Sequence, residues 1–137
     1  MAILLDPSAI VAAADSADLN HEAAVAWFGR VDEPLLLGAL GLGEVDLLLQ
    51  RELGAPATLA VIASVISGAI RIVAPTPEDL SRAAELMGEA AEHRPRLADA
   101  LLVATAERLW IRRVASFDRR PLAVLRPRHG RSLDFEP

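Results

Sequence analysis

Four carboxylates stand where an acid is costly: Asp6, Glu44, Asp99 and Asp118. Asp6 closes the apolar run Ala2-Ile3-Leu4-Leu5, and Asp118 closes Arg113 to Phe117. Both read as the carboxyl ends of buried strands, the edge at which open α/β sheets bind ligands. Glu44 falls within three or four positions of Leu40, Leu47 and Leu48, which places it in the apolar stripe of a helix, while Asp46 points the other way. Asp99 shares a helix face with Leu102, Val103 and Ala106. Read singly, Asp6 and Asp99 could be helix caps, Asp118 a turn residue and Glu44 the partner of a buried arginine. Together, without a cation, they would repel one another and be driven towards neutrality. A cluster of carboxylate oxygens is the ligand set of a hard divalent ion, Mg²⁺ or Mn²⁺.

The elements that must position these acids follow from local pattern. Pro7 suits the first position of a helix capped by Asp6, and a second helix from Asn20 puts Ala24, Trp27, Phe28 and Val31 on one face. Leu35 to Leu37 reads as a strand, Ala39 to Leu53 as a helix closed by Gly54, and Ala57 to Ser67 as a buried helix. Ile70 to Val73 is a further strand. Thr76-Pro77-Glu78-Asp79 opens a helix reaching about Glu92, and His93 to Arg96 forms a loop. A sixth helix covers Ala98 to Leu109, Arg120-Pro121 opens a short seventh, and Ser132 to Phe135 adds an edge strand. Strands alternating with helices predict an α/β sandwich, one domain over residues 1–137, around a mainly parallel sheet.

Composition narrows the field. The 137 residues are 53% hydrophobic and 24% charged, which excludes disorder, and the absence of cysteine removes disulfide, thiolate and thiolate–metal chemistry. No basic leader precedes Asp6, and the uncharged stretch Gly54 to Ile70 contains Pro56, Thr58, Ser64, Ser67 and Gly68; a cytoplasmic chain without a membrane span is expected. All 14 basic residues are arginine, and ten of them crowd residues 94–131 against three acids, although the net charge is −5. Such a segment is either a phosphate-facing surface or a solvated helix and turn. His21, His93 and His129 lack zinc-ligand spacing, and Gly38 to Gly43 lacks the lysine of a phosphate loop. A tight approach of strand to helix accounts for those glycines. Trp27-Phe28 reads as core or partner groove rather than as a base-stacking platform.

The motifs around the acids resemble a family. Leu4-Leu5-Asp6-Pro7-Ser8-Ala9 is similar to the opening motif of PIN-domain ribonucleases, and Gly43-Glu44-Val45-Asp46-Leu47-Leu48 to their second. Leu97-Ala98-Asp99-Ala100-Leu101-Leu102 and Ser116-Phe117-Asp118-Arg119-Arg120 resemble the third and fourth. Size, order and spacing suit the VapC toxins of bacterial VapBC toxin–antitoxin pairs. The resemblance implies a PIN-like three-layer sandwich with about seven helices. It also implies an endoribonuclease toxin in which Asp6, Glu44, Asp99 and Asp118 hold Mg²⁺ or Mn²⁺ beside Ser8 and Ser116. Arg112, Arg119 and Arg120 would position the phosphates of a structured RNA such as tRNA or rRNA. A homodimer held by a VapB-type antitoxin is implied as well. Pro7 departs from the family's threonine or serine at that place, which leaves open a catalytically weakened binding module; a DNA nuclease is the other alternative.

Overall fold

Ile3, Leu4 and Leu5 are all fully buried, although successive side chains of a strand point to opposite faces. Apolar layers therefore cover both sides of the sheet. The computed structural model describes residues 1–128 and 132–137; His129 and Arg131 of the sequence reading lie outside the described residues. The elements run β1 (Ile3–Leu5), α1 (Pro7–Ala14), α2 (His21–Arg30), β2 (Leu35–Gly38), α3 (Ala39–Leu53), α4 (Ala55–Ile66), β3 (Ile70–Val73) and α5 (Pro77–Glu89). After a 3-10 turn at Ala91–His93 come α6 (Leu97–Leu109), β4 (Arg113–Ala115), α7 (Arg120–Ala123) and β5 (Asp134–Glu136). Among the described residues the strands form one parallel sheet in the order β3-β2-β1-β4-β5, with Leu4 opposite both Leu36 and Val114.

Leu4 and Val114 pack with Ala83, Leu86, Val103 and Ala104 of α5 and α6 on one side. Ile3, Leu5 and Leu37 pack with Ile10, Trp27, Val45, Leu49 and Val61 of α1 to α4 on the other. These are the three layers expected from the alternation. The α5–α6 seam is fastened by charge: Arg108 Nε lies 2.9 Å from Asp79 Oδ1, and Arg82 Nε 2.8 Å from Glu107 Oε2. Asp79 also completes the capping box with Thr76.

Four expectations need correction. The buried side of α3 is Val45 and Leu49, whereas Leu40 and Leu47 are exposed, so Glu44 borders the core instead of lying in its stripe. Helix α4 is uncharged yet mostly uncovered: Val61 is buried, but Leu59, Ile62 and Ile66 are exposed. The fifth helix stops at Glu89 and the fourth strand at Ala115, each shorter than its apolar pattern. A tight approach of strand to helix accounts for Gly41 alone, since a Cβ on Gly38 or Gly43 would meet nothing within 4 Å. A Cβ on Gly41 would meet Leu37 Cδ1 at 3.1 Å and Pro7 Cγ at 3.7 Å, so the first turn of α3 lies directly on β2 and the start of α1. No helix among the described residues is long and apolar enough to cross a membrane.

Candidate active site

The carboxyl ends of β1 and β4 lie side by side, since Leu5 pairs with Ala115 and the Asp6 amide donates to the Ala115 carbonyl at 2.9 Å. Asp6 and Ser116, the next residues along, therefore meet. Asp6 Oδ2 accepts from the Ser8 amide (3.1 Å), the Ser8 hydroxyl and the Ser116 hydroxyl (3.1 Å). Pro7 follows as the first helical residue, so Asp6 caps α1 while the residue as a whole stays only 6% exposed. Burial pushes the Asp6 carboxyl above the usual range; the bonds from Ser8 and Ser116 oppose this, and the charge of Asp99 adds to it.

Asp99 lies in the first turn of α6 and is almost fully buried. Burial raises its pKa too, Arg96 pulls it down, and Asp118 adds like-charge repulsion. Asp6, Glu44 and Asp99 line one depression with Pro7, Gly41, Leu40, Leu101 and Thr105 as part of its wall. Asp118, by contrast, is exposed and is not part of that wall, its amide donating to Ser116 Oγ at 3.0 Å. Asp118 does not close a buried strand as its apolar run suggests, because β4 stops three residues earlier.

The arginines divide. Arg112 precedes β4 and therefore sits at the amino edge of the sheet, away from the acids, 3.3 Å from Asp134 Oδ1. Arg119 is occupied with the fold: Nε donates to the Ser116 carbonyl (3.1 Å), Nη2 to that of Pro137 (2.7 Å), and its guanidinium lies over Phe135. Arg112 thus lies at the edge opposite the acids, whereas Arg119 is exposed with two of its donors committed to the chain's own carbonyls. Arg120 is exposed and lines a second depression with His93, Arg94, Arg96 and Asp99. The sequence reading missed Arg94 and Arg96. Arg96 Nη1 lies 2.7 Å from Glu44 Oε1 and its Nε 3.3 Å from Asp99 Oδ2. The spacing of three between Arg96 and Asp99, just ahead of a helix start, was the available signal.

Among the described residues no three acidic or histidine side chains are gathered closely enough to enclose an ion directly. The donor set still fits one. Its atoms are hard carboxylate oxygens, two of them on buried acids that repel each other, and Mg²⁺ keeps several waters while using only one or two carboxylates.

Residues 3–126 match the PIN domain. The chain belongs to the PIN-domain family. It is 28% identical over 128 residues to Ribonuclease VapC26 of Mycobacterium tuberculosis, spanning 93% of this chain and 95% of that one. The PIN fold is shared with crystallised VapC20 of the same organism, a toxin that cleaves the sarcin–ricin loop (TM-score 0.81, 24% identity, 87% of this chain and 92% of that one). It is also shared with VapBC2 of Rickettsia felis bound to a DNA fragment from their promoter (TM-score 0.71, 11% identity, both chains covered completely). PIN-domain VapC nucleases generally depend on a divalent metal. The acid-lined depression lies at the carboxyl edge of this PIN sheet, against the ends of β1, β2 and β3 and the starts of α3 and α6.

Proposed function

We propose that this chain is the toxin of a type II toxin–antitoxin pair and acts as an Mg²⁺-dependent endoribonuclease on structured RNA. The observation that carries the reading is the meeting of Asp6, Glu44 and Asp99 around one depression at the sheet's carboxyl edge, with Asp118 beside Asp99. Asp6, Glu44 and Asp99 would hold the ion, directly or through water, and Asp118 would complete its charge balance from beside Asp99. When bound, a divalent ion supplies an activated water at neutral pH and a counter-charge for the leaving oxygen. Ser8 and Ser116 fix the orientation of the Asp6 carboxylate. Arg120 and Arg94, on the neighbouring depression, would take RNA phosphates; their positive charge orients the backbone without reading sequence.

The partner would be a VapB-type antitoxin, with the toxin a cytoplasmic, single-domain homodimer. Ala24 and Trp27 are core, so the groove proposed for the second helix contracts to its half-buried Phe28 and Val31. With Ala57, Ala60 and Val61 of α4 these line an open apolar trough suited to an amphipathic helix.

Cleavage of defined tRNA and rRNA fragments, with DNA of matching sequence alongside, tests the activity with Mg²⁺ and with chelator. RNA should be cut only with Mg²⁺, and Asp99→Asn should abolish the cut while leaving the protein folded, since the neutral side chain removes a buried charge that Asp118 repels. RNA bound but never cut would leave the binding module as the reading, and cutting confined to DNA would move the substrate class.

A further inference from the structure

Arg96 is the N-cap residue of α6, with extended backbone (φ −84°, ψ 152°) and no side-chain role in capping. Its guanidinium joins α3 to α6 by meeting Glu44 and Asp99 at once. The side chain is 59% exposed, against 20% for Glu44 and 6% for Asp99, so the bridge lies at the boundary between pocket and solvent. It supplies to these two carboxylates what a divalent ion would supply, with one charge in place of two. The same side chain also lines the basic depression that holds His93, Arg94 and Arg120. A single flexible arm thus borders both the acids and the phosphate-facing arginines.

We propose that Arg96 is a displaceable counter-ion that couples metal entry to RNA binding. Without a divalent ion it bridges Glu44 and Asp99; when an ion takes those carboxylates, the freed guanidinium turns towards Arg94 and Arg120 and takes an RNA phosphate. The inference rests on the reading of these acids as metal ligands. An ion pair with one partner this exposed is weak, so the doubly charged ion displaces it, whereas guanidinium and phosphate match in geometry as well as charge. Linkage makes the effect reciprocal: metal strengthens RNA binding, and RNA strengthens metal binding by the same factor.

The test is Mn²⁺ binding to the full chain, by the loss of the free-ion electron paramagnetic resonance signal, for the wild type, Arg96→Met and Arg96→Lys. Arg96→Met should bind Mn²⁺ at least about fivefold more tightly, because no cation has to leave. Arg96→Lys, whose single ammonium cannot span both carboxylates, should fall between the two, and it carries the comparison if the methionine variant fails to fold. Stopped-flow anisotropy of a labelled RNA, read before turnover, should show Mn²⁺ strengthening RNA binding in the wild type and this gain disappearing in Arg96→Met. Equal or weaker Mn²⁺ binding by the folded variants would overturn the proposal while leaving the metal centre standing. No Mn²⁺ binding by any of the three proteins would overturn the metal reading and this proposal with it.

Discussion

Ser8 and Ser116 stand 3.3 Å apart, oxygen to oxygen, although 108 positions separate them in the chain. Both hold Oδ2 of Asp6, and each also receives a backbone amide of the segment after β4: Phe117 N donates to Ser8 Oγ at 2.9 Å and Asp118 N to Ser116 Oγ at 3.0 Å. The pair ties the start of α1 to the end of β4 through the carboxylate between them. Ser116→Ala leaves the Asp118 amide without this acceptor and Asp6 without one of its donors. The cost should be about 1–3 kcal/mol in urea unfolding. Mn²⁺ affinity should fall by about 10–100-fold, as for other groups that orient a metal ligand. A loss of stability with unchanged Mn²⁺ affinity would confine Ser116 to a structural role.

Pro7 sits where the family has a hydroxyl, yet the hydroxyl bonds to Asp6 come from Ser8 and Ser116. Pro7→Thr should therefore leave metal affinity and cleavage within about twofold. It should lower stability by about 0.4–1 kcal/mol, because the unfolded chain regains freedom that proline denies it. Cleavage at limiting and saturating Mg²⁺, with a thermal melt, separates the two effects; a tenfold gain at limiting Mg²⁺ would show that Ser8 does not replace the missing group.

Glu136 provides a handle on acid. Its carboxyl is held below the usual 4.5 by the bond from Arg113, aided by the bond from Trp27 and opposed by burial. A depressed folded pKa means stability that is present above 4.5 and lost as pH falls through the lower folded value. Trp27 Nε1 donates to Glu136 Oε1 at 2.9 Å, so the indole reports the change. The chain has two tryptophans, and Trp110→Phe leaves Trp27 alone as the fluorophore. In that background the unfolding midpoint should drop and the Trp27 emission shift as Glu136 protonates, and Glu136→Gln should erase the acid-dependent part of both.

Arg120 and Arg112 should separate cleanly in RNA binding. Removing one phosphate contact lowers the slope of log affinity against log salt by about 1, without regard to sequence. Arg120→Ala should do this, measured by anisotropy across a salt series in chelator. Arg112→Ala, at the other edge of the sheet, should not; an equal loss for both would place RNA across the amino edge as well.

Element types and order were legible because β1 and β2 are short apolar runs, β3 and β4 are apolar but for one arginine each, and most helices open on a proline or a cap, as at Pro7, Thr76-Pro77 and Pro121. Asp6 was legible from a strand end and Asp99 from a helix face, whereas Glu44 was singled out on a leucine stripe that the structure leaves largely exposed. Burial of helices was harder to read. On α3, leucines and glycines leave several equally apolar stripes, and only packing against β2 and α1 selects Val45 and Leu49. On α4 the absence of charge says nothing about whether a neighbour exists to cover Leu59 and Ile66. Arg96 had one local signal, its spacing of three from Asp99, but its second partner, Glu44, lies on another helix, and that contact has no local signature.

The place of β1 in the sheet, between β2 and β4, has a consequence for biosynthesis. Emerging from the ribosome, Asp6 and Glu44 appear early, but β1 lacks one neighbour until β4 has been made. Ser116, which steadies Asp6, and Asp118 come later still, after the helix that carries Asp99. A chain made only as far as α6 therefore carries Asp6, Glu44 and Asp99 without the bond from Ser116 that steadies Asp6. Asp6 gains its Ser116 bond, and the acids their full arrangement, only when β4 pairs along the open flank of β1.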